Sequence, residues 1–224
     1  RTCIPKAPST HRVASGRQRR TRILPRQTPL RPPASRRRPP AGDTPYHHGD
    51  LHDALLAAAE RVRAAGAPEA LPIAADVTNA DDCERLVATT VERMSSLDVL
   101  VNNAGGSFRD GNLGERWGQA YETNLLSAVR LMELSHVHLA GTARERPGAA
   151  AVVNIASIYG RETGGSPQYN ATKSALIAVS KAYAVAWAPE GIRVNSVHPG
   201  GVDTPMINGA EFAGVDQSAT YATQ

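Results

Sequence analysis

The sequence LDVLVNNAGG at residues 97–106 decides the fold of this chain. Its first half is a run of leucine and valine, which is typical of a strand that is buried on both faces of a parallel sheet. Its second half contains the small and polar residues at which such strands end. We therefore predict a buried strand here, with a loop at its carboxyl end where a ligand can bind.

Strands and helices alternate along the chain on both sides of this stretch. The apolar runs ALPIAADVT at 70–78, AAVVNIAS at 150–157 and IRVNSVHP at 192–199 predict three more strands. Helical periodicity and helix-ending residues predict helices at 51–66, at 80–96, at roughly 115–140 and around Tyr169. The alternation indicates an α/β fold with a parallel, doubly wound sheet.

The ends of these strands share one chemical property. ADVT, NNAGG, IAS and HPGG all finish in small or polar residues. Because the carboxyl ends of parallel strands meet at one edge of a sheet, we expect the residues capable of chemistry to collect there.

Ser157, Tyr169 and Lys173 form the candidate catalytic group at this edge. Ser157 ends a strand, and Tyr169 and Lys173 lie four residues apart in the next helix, so they share one face of it. A free phenol has a pKa of about 10, and a nearby ammonium favours the phenolate, so Lys173 would make Tyr169 a usable acid and base. The alternative for this pair alone is a half-buried tyrosine beside a solvated lysine.

The motifs together resemble the short-chain dehydrogenase/reductase family. They are NNAG at 102–105, the asparagine in ETNLLSAV, NIAS, YNATK and HPGGVDTPM, in the family's order over residues 70–206. The resemblance implies a Rossmann-like domain over 45–224, which we expect to be incomplete, without the first two strands and the last. It also implies a hydride transfer between NAD or NADP and a small carbonyl or alcohol substrate, in a homo-oligomer.

The resemblance assigns a role to each site residue. Tyr169 would be the general acid or base, Lys173 would tune it and hold the nicotinamide ribose, and Ser157 would orient the substrate oxygen. Asn124 would connect Lys173 to a proton relay through a water. The implied cofactor-binding residues are Asp76, Val77, Asn103, Ala104, Gly105, Tyr169, Lys173, Pro199, Gly200, Val202 and Thr204.

Three of these residues have a second interpretation from their local sequence alone. Asp76 could cap a loop, Asn103 could be a turn residue alone, and Thr204, which precedes a proline, could belong to a turn. The sequence also lacks the family's glycine-rich TGxxxGxG turn, whose amides hold a pyrophosphate, and we therefore expect weakened cofactor binding. If the 70–78 strand does not pair beside the 97–106 strand, the edge of the latter stays open and prone to association.

Residues 1–44 differ in composition from the rest of the chain. They hold twelve of the 25 Lys and Arg residues, one of the 21 acids and eight of the 16 prolines, so they carry a charge of +11 and the remainder −7. Such a segment cannot bury enough apolar surface to fold, and we expect a disordered tail. A phosphate-binding arm and a transit peptide are its functional alternatives; the prolines disfavour the helix that a transit peptide needs.

Other classes of function are less well supported by the sequence. Residues 46–62 resemble the first helix of tetracycline-repressor type regulators, but a predicted strand follows where a recognition helix would stand. The pairs His48/His52 and His136/His138 lack a third ligand for a metal. With two distant cysteines and no long apolar run, we expect a cytoplasmic protein without a membrane span. A non-catalytic remnant that only associates with other subunits remains an alternative.

Overall fold

A computed structural model describes residues 48–202 of the 224-residue chain. The predicted tail at 1–44 and the site residue Thr204 therefore lie outside the described residues. The helices and strands, in chain order, are α1 His48–Ala64, α2 Ala80–Met94, β1 Val99–Asn102, α3 Leu113–Tyr121, α4 Ser127–Glu145, β2 Ala151–Ile155, α5 Pro167–Trp187 and β3 Arg193–Val197. Three single-turn helices accompany them: a π-helical turn Glu122–Leu126 and 3₁₀ turns Ile158–Gly160 and Ala188–Glu190.

The three strands form one parallel sheet in the order β1-β2-β3. Leu100, Val152 and Val194 lie in register across it. Each connection between neighbouring strands runs through helices, as parallel pairing requires. The predicted α/β fold with a parallel sheet is thus confirmed for the described part of the chain.

One face of the sheet packs against α4 and α5. Met132 and Leu139 of α4, Trp187 of α5 and Val152 of β2 are all nearly inaccessible and belong to one apolar cluster. Helix α2 packs in turn on α4 through Cys83, Val87 and Leu131. This core fixes α5 against the sheet and thereby sets where its first turns meet the strand ends.

The opposite face of the sheet is open in the described part of the chain. Val99 and Val101 of β1 are 51% and 55% exposed, and Val197 of β3 is 47% exposed. No strand among residues 48–202 pairs with the outer edge of β1. Of the two arrangements expected for this edge, the open one is found among these residues. The prediction that this strand is buried on both faces is wrong for the described part of the chain, because Val99 and Val101 are exposed.

The predicted strand at 70–78 is wrong, because this segment forms no ladder in the structure. Arginine side chains donate hydrogen bonds to its carbonyl groups instead. Arg63 donates to the carbonyl of Ala70, and Arg85 donates to the carbonyl of Ala74 at 2.9 Å. Arg130 donates to the carbonyl of Val77 at 3.1 Å. An apolar run becomes a strand only where a neighbouring backbone can pair with it, and here side chains satisfy the backbone instead.

The single helix predicted at roughly 115–140 is also wrong in one respect. It consists of α3 and α4, and the π-helical turn between them contains Asn124. A π-turn inserts a residue into the helix and changes the direction of the side chains beside it. The periodicity of the sequence does not reveal this turn, because the segments on both sides of it are helical and only their relative phase changes. Within residues 48–202, no helix combines the length and apolar character needed to cross a membrane.

Candidate active site

The Lys173 side chain is the best-defined part of the candidate site. Its Nζ donates a hydrogen bond of 2.7 Å to the carbonyl of Ile155, the last residue of β2. The residue is only 4% exposed. Within residues 48–202 its ammonium has no second hydrogen-bond acceptor, although an ammonium carries three N–H groups. Lys173 is therefore fixed at the strand end with donors left for a ligand.

Burial lowers the pKa of Lys173 from 10.5 to about 8. A charged amine loses favourable hydration in a buried position, and this loss favours the neutral form. At neutral pH the amine still carries its proton, but it releases that proton far more readily than an exposed lysine does. Lys173 is thus unusual in its titration as well as in its position.

Tyr169 lies one helical turn before Lys173 on the same face of α5. The Lys173 Nζ lies 5.7 Å from the centroid of the Tyr169 ring, which is within range of a cation–π interaction. The side chain is partly exposed, and its hydroxyl has no hydrogen-bond partner among the described residues. The phenol is therefore partly accessible and lies beside a cation, and its catalytic role stays a prediction.

Ser157 follows β2 and begins the 3₁₀ turn Ile158–Gly160. Its Oγ accepts a hydrogen bond of 3.2 Å from the backbone N–H of Tyr159. Residues before and after Ser157 lie close to Lys173. The Ile155 carbonyl accepts a hydrogen bond from Lys173 Nζ. Gly160 lies so close to the Lys173 backbone that a Cβ at this position would be 2.9 Å from the Lys173 carbonyl carbon. Ser157 is thereby held next to this turn of α5. No hydrogen bond in the described region joins it directly to Tyr169.

Asn124 is fully buried and binds the loop that follows β1. Its Oδ1 accepts from the Gly106 N–H at 2.8 Å, and its Nδ2 donates to the Gly106 carbonyl at 3.0 Å and to Thr172 Oγ1 at 3.1 Å. These bonds connect the β1 loop to α5 one residue before Lys173. The predicted link from Asn124 to Lys173 through a water stays a prediction.

Gly105 lies where three of the predicted site residues meet. A Cβ on Gly105 would lie 2.8 Å from Asn124 Oδ1, so one of the two would have to shift, and it would be in tight contact with Lys173 Nζ at 3.2 Å. Asn103 and Ala104, which precede it, are exposed at the end of β1. The close approach of backbone to Lys173 thus requires glycine at 105.

The chain after β3 also reaches this edge. The carbonyl of Pro199 accepts a hydrogen bond of 2.9 Å from the N–H of Ile158, directly beside Ser157. Gly200 and Val202 follow and are exposed. The structure therefore brings Pro199 to the Ser157 turn, and the role of Pro199, Gly200 and Val202 toward a cofactor stays a prediction.

Asp76 and Val77 occupy a turn before α2. The Asp76 carboxylate accepts hydrogen bonds from the Thr78 N–H at 2.9 Å and the Thr78 hydroxyl at 2.7 Å. The Val77 carbonyl accepts from Arg130. The Asp76 side chain thus has the loop-capping role that the sequence left open; the role of both residues toward a cofactor stays a prediction.

The structure shows polar residues in this region that sequence reasoning missed. Ser166 and Gln168, at the start of α5, hold the backbone of residues 107 and 108. Asn154 of β2 accepts a hydrogen bond from Asn102 of β1 and donates one to Ser180 of α5. The only available signal was their position: each lies within a few residues of a predicted site residue.

Comparison with known proteins relates most of the described fold to one family. Residues 48–212 match the short chain dehydrogenase family. The chain is 34% identical to cis-4-hydroxycyclohexanecarboxylate dehydrogenase of Sinomonas cyclohexanicum over 181 residues, which cover 79% of this chain and 69% of that protein. It is 35% identical to L-fucose dehydrogenase of Rattus norvegicus over 155 residues, or 66% of this chain and 54% of that one.

A solved structure shows the same fold. The 3-ketoacyl-(acyl-carrier-protein) reductase from Brucella melitensis, complexed with NADH, superposes with a TM-score of 0.60 at 29% identity. The match covers 68% of this chain and 64% of that one. The chain spans about half the length of several curated relatives that it matches.

Proposed function

The chain belongs to the short-chain dehydrogenase family, and we propose that it acts as an NAD(P)-dependent oxidoreductase on a small carbonyl or secondary alcohol substrate. The observation that carries this proposal is the position of Lys173, buried at the end of β2 beside the accessible phenol of Tyr169. The L-fucose and hydroxycyclohexanecarboxylate dehydrogenases, which are similar in sequence, and the NADH-bound reductase, which is similar in fold, support the reaction class.

The residues of the site fit the nicotinamide half of such a cofactor. The absence of a side chain at Gly105 lets its backbone approach Asn124 and Lys173 closely. Asn103, Ala104 and Gly105 at the end of β1, together with Pro199, Gly200 and Val202 after β3, would line the nicotinamide site, and Lys173 has N–H groups left to bind hydroxyls. When bound, the nicotinamide supplies or accepts the hydride. Its adenine half would depend on Asp76 and Val77, and the choice between NAD and NADP stays open.

The protein's own contribution would be the movement of one proton. Tyr169 Oη would donate its proton to the substrate oxygen during reduction, or accept one from the alcohol during oxidation. The Lys173 ammonium, whose Nζ lies 5.7 Å from the centroid of the Tyr169 ring, would provide a positive charge beside the phenol. Ser157, whose hydroxyl has no acceptor within residues 48–202, would donate a hydrogen bond to the same substrate oxygen.

The substitution Tyr169→Phe tests the proposal. It removes the proton donor and keeps the ring that faces Lys173, so turnover of a ketone and alcohol panel with NADH or NADPH should fall by about 100-fold or more. The matched control is Tyr121→Phe, on an exposed tyrosine of α3, which should leave turnover unchanged. Equal turnover in the two variants, with unchanged circular dichroism, would contradict the proposed role of Tyr169.

We further propose that the chain forms a homo-oligomer. Among residues 48–202 one sheet face exposes Val99, Val101 and Val197, and this supports the proposal because exposed apolar side chains on strands at the edges of a sheet favour association. Replacing Val101 with lysine should then lower the mass measured by light scattering at a fixed protein concentration. An unchanged mass would show that this face is not the site of association.

A further inference from the structure

The loop at residues 105–108 is held from two sides by the elements that carry the site. On one side, Asn124 binds both backbone groups of Gly106. On the other, the start of α5 binds the next two carbonyl groups, those of Ser107 and Phe108. Four consecutive residues are therefore fixed between the π-helical turn and the helix that presents Tyr169 and Lys173.

The Ser166 side chain forms a hydrogen bond with this loop and does not cap its own helix. It occupies the N-cap position of α5, where a serine side chain normally accepts a hydrogen bond from the helix backbone. Here it makes no such bond, and its hydroxyl donates to the Ser107 carbonyl at 3.1 Å. The capping hydroxyl is thus directed outward to the loop.

Gln168 holds the loop more strongly than Ser166 does. Its side chain is only 4% exposed, and its Nε2 donates to the Ser107 carbonyl at 3.2 Å and to the Phe108 carbonyl at 2.7 Å. Phe108 has a φ of 45°, a left-handed conformation that is unfavourable for an aromatic residue. Such a conformation persists only where the surroundings enforce it.

The first residue of this loop lies against two residues of the candidate active site. Gly105, at its start, packs against Lys173 Nζ and Asn124 Oδ1 without room for a side chain. We propose that Ser166 and Gln168 are positioning residues: they hold the loop that begins at Gly105, and so keep Gly105 against Lys173 and water away from the Lys173 amine. Residues in the first turn of α5 thereby control the surroundings of Lys173, which lies in the next turn. This inference rests on the proposed function of Lys173 but concerns residues that the proposed reaction does not use.

The titration of Lys173 provides a readout that needs neither cofactor nor turnover. The chain has three lysines, at positions 6, 173 and 181, so few side-chain signals arise in NMR spectra of ¹³C-lysine protein. The substitution Lys181→Arg removes one of them and assists assignment. If the loop seals Lys173, Gln168→Met should raise its pKa from about 8 toward 10.5, by about one unit or more, because water regains access.

Gln168→Met preserves the volume of the buried side chain and removes both N–H donors. This variant should therefore fold, whereas a smaller residue would leave a cavity. Ser166→Ala should raise the Lys173 pKa by a smaller amount. Ser166→Thr keeps the hydroxyl and should leave the Lys173 pKa at its value in the parent protein. Hydrogen exchange gives a second measurement: the Gly106 N–H should exchange roughly tenfold faster in Gln168→Met.

Two controls separate positioning from general loss of stability. Gln119→Ala removes an exposed glutamine from α3 and should leave the Lys173 pKa unchanged. Thr142→Val destabilises the chain at a distant place, where Thr142 Oγ1 binds the Leu97 carbonyl and Asp98. It should also leave that pKa unchanged.

An unaltered Lys173 pKa and unaltered Gly106 exchange in folded Gln168→Met would overturn the positioning role. That result would leave the Tyr169→Phe experiment unaffected, because the NMR measurement does not depend on catalysis. Conversely, a raised pKa together with an inactive parent chain would support the loop contact and count against the proposed reaction only.

Discussion

Asn154 of β2 accepts a hydrogen bond of 2.8 Å from the side chain of Asn102 in β1, its partner in the sheet register. Asn154 also donates to Ser180 Oγ of α5 at 2.9 Å. The two asparagines are nearly inaccessible, and Asn102 Oδ1 has no partner of its own among the described residues. This buried polar contact fixes β1, β2 and α5 relative to one another just below the candidate active site.

The contributions of Asn102 and Asn154 to stability should be coupled. Asn154→Leu leaves the Asn102 amide and the Ser180 hydroxyl buried without this partner, and should lower the free energy of unfolding by about 1–3 kcal/mol. In the double variant Asn102→Leu/Asn154→Leu, the loss should be smaller than the sum of the two single losses. Urea denaturation of all four proteins measures the coupling; strict additivity would show that the pair is not coupled.

The stability of the chain should depend on pH through Lys173. Its pKa is about 8 in the folded protein and near 10.5 when unfolded, so between these values the unfolded chain binds the additional proton. The stability contribution of this group therefore rises with pH across this window, by roughly 2 kcal/mol between pH 8 and 10. Lys173→Met should remove this rise; equal slopes in the two proteins, measured by urea unfolding, would refute the shifted pKa.

Gly105→Ala should disturb the site although it adds a single methyl group. The new Cβ would clash with Asn124 Oδ1 and make a tight contact with Lys173 Nζ, at a cost of about 1–3 kcal/mol. Gly118→Ala is a matched control in α3, where an added Cβ would have no neighbouring atom within 4 Å and alanine favours the helix by up to about 1 kcal/mol. Thermal unfolding should therefore show opposite shifts for the two variants; a tolerated alanine at 105 would contradict the close packing.

Cofactor affinity should be weak in the 224-residue chain. Its sequence contains no TGxxxGxG turn to bind the pyrophosphate, and a loss of about 4 kcal/mol corresponds to a thousandfold weaker binding. We expect a dissociation constant in roughly the millimolar range for NADH and NADPH in a fluorescence titration. Micromolar binding would show that other residues replace the missing turn.

The residue types along the chain were sufficient to predict the class of fold and the group of residues at the strand ends. Buried apolar runs that end in polar residues predict β1, β2 and β3, and four-residue spacing places Tyr169 and Lys173 on one face of α5. These features are local, since they depend on periodicities within one element. The sequence could therefore predict them without knowledge of the neighbouring elements.

Only the tertiary structure decided which backbone groups pair with which partners. The segment at 70–78 has the apolar character of a strand, yet arginines from helices bind its carbonyl groups. The lowered pKa of Lys173 and the outward hydrogen bonds of Ser166 and Gln168 likewise depend on residues far away in the chain. Burial and hydrogen-bond partners arise from contacts between elements, and a local sequence pattern does not contain that information.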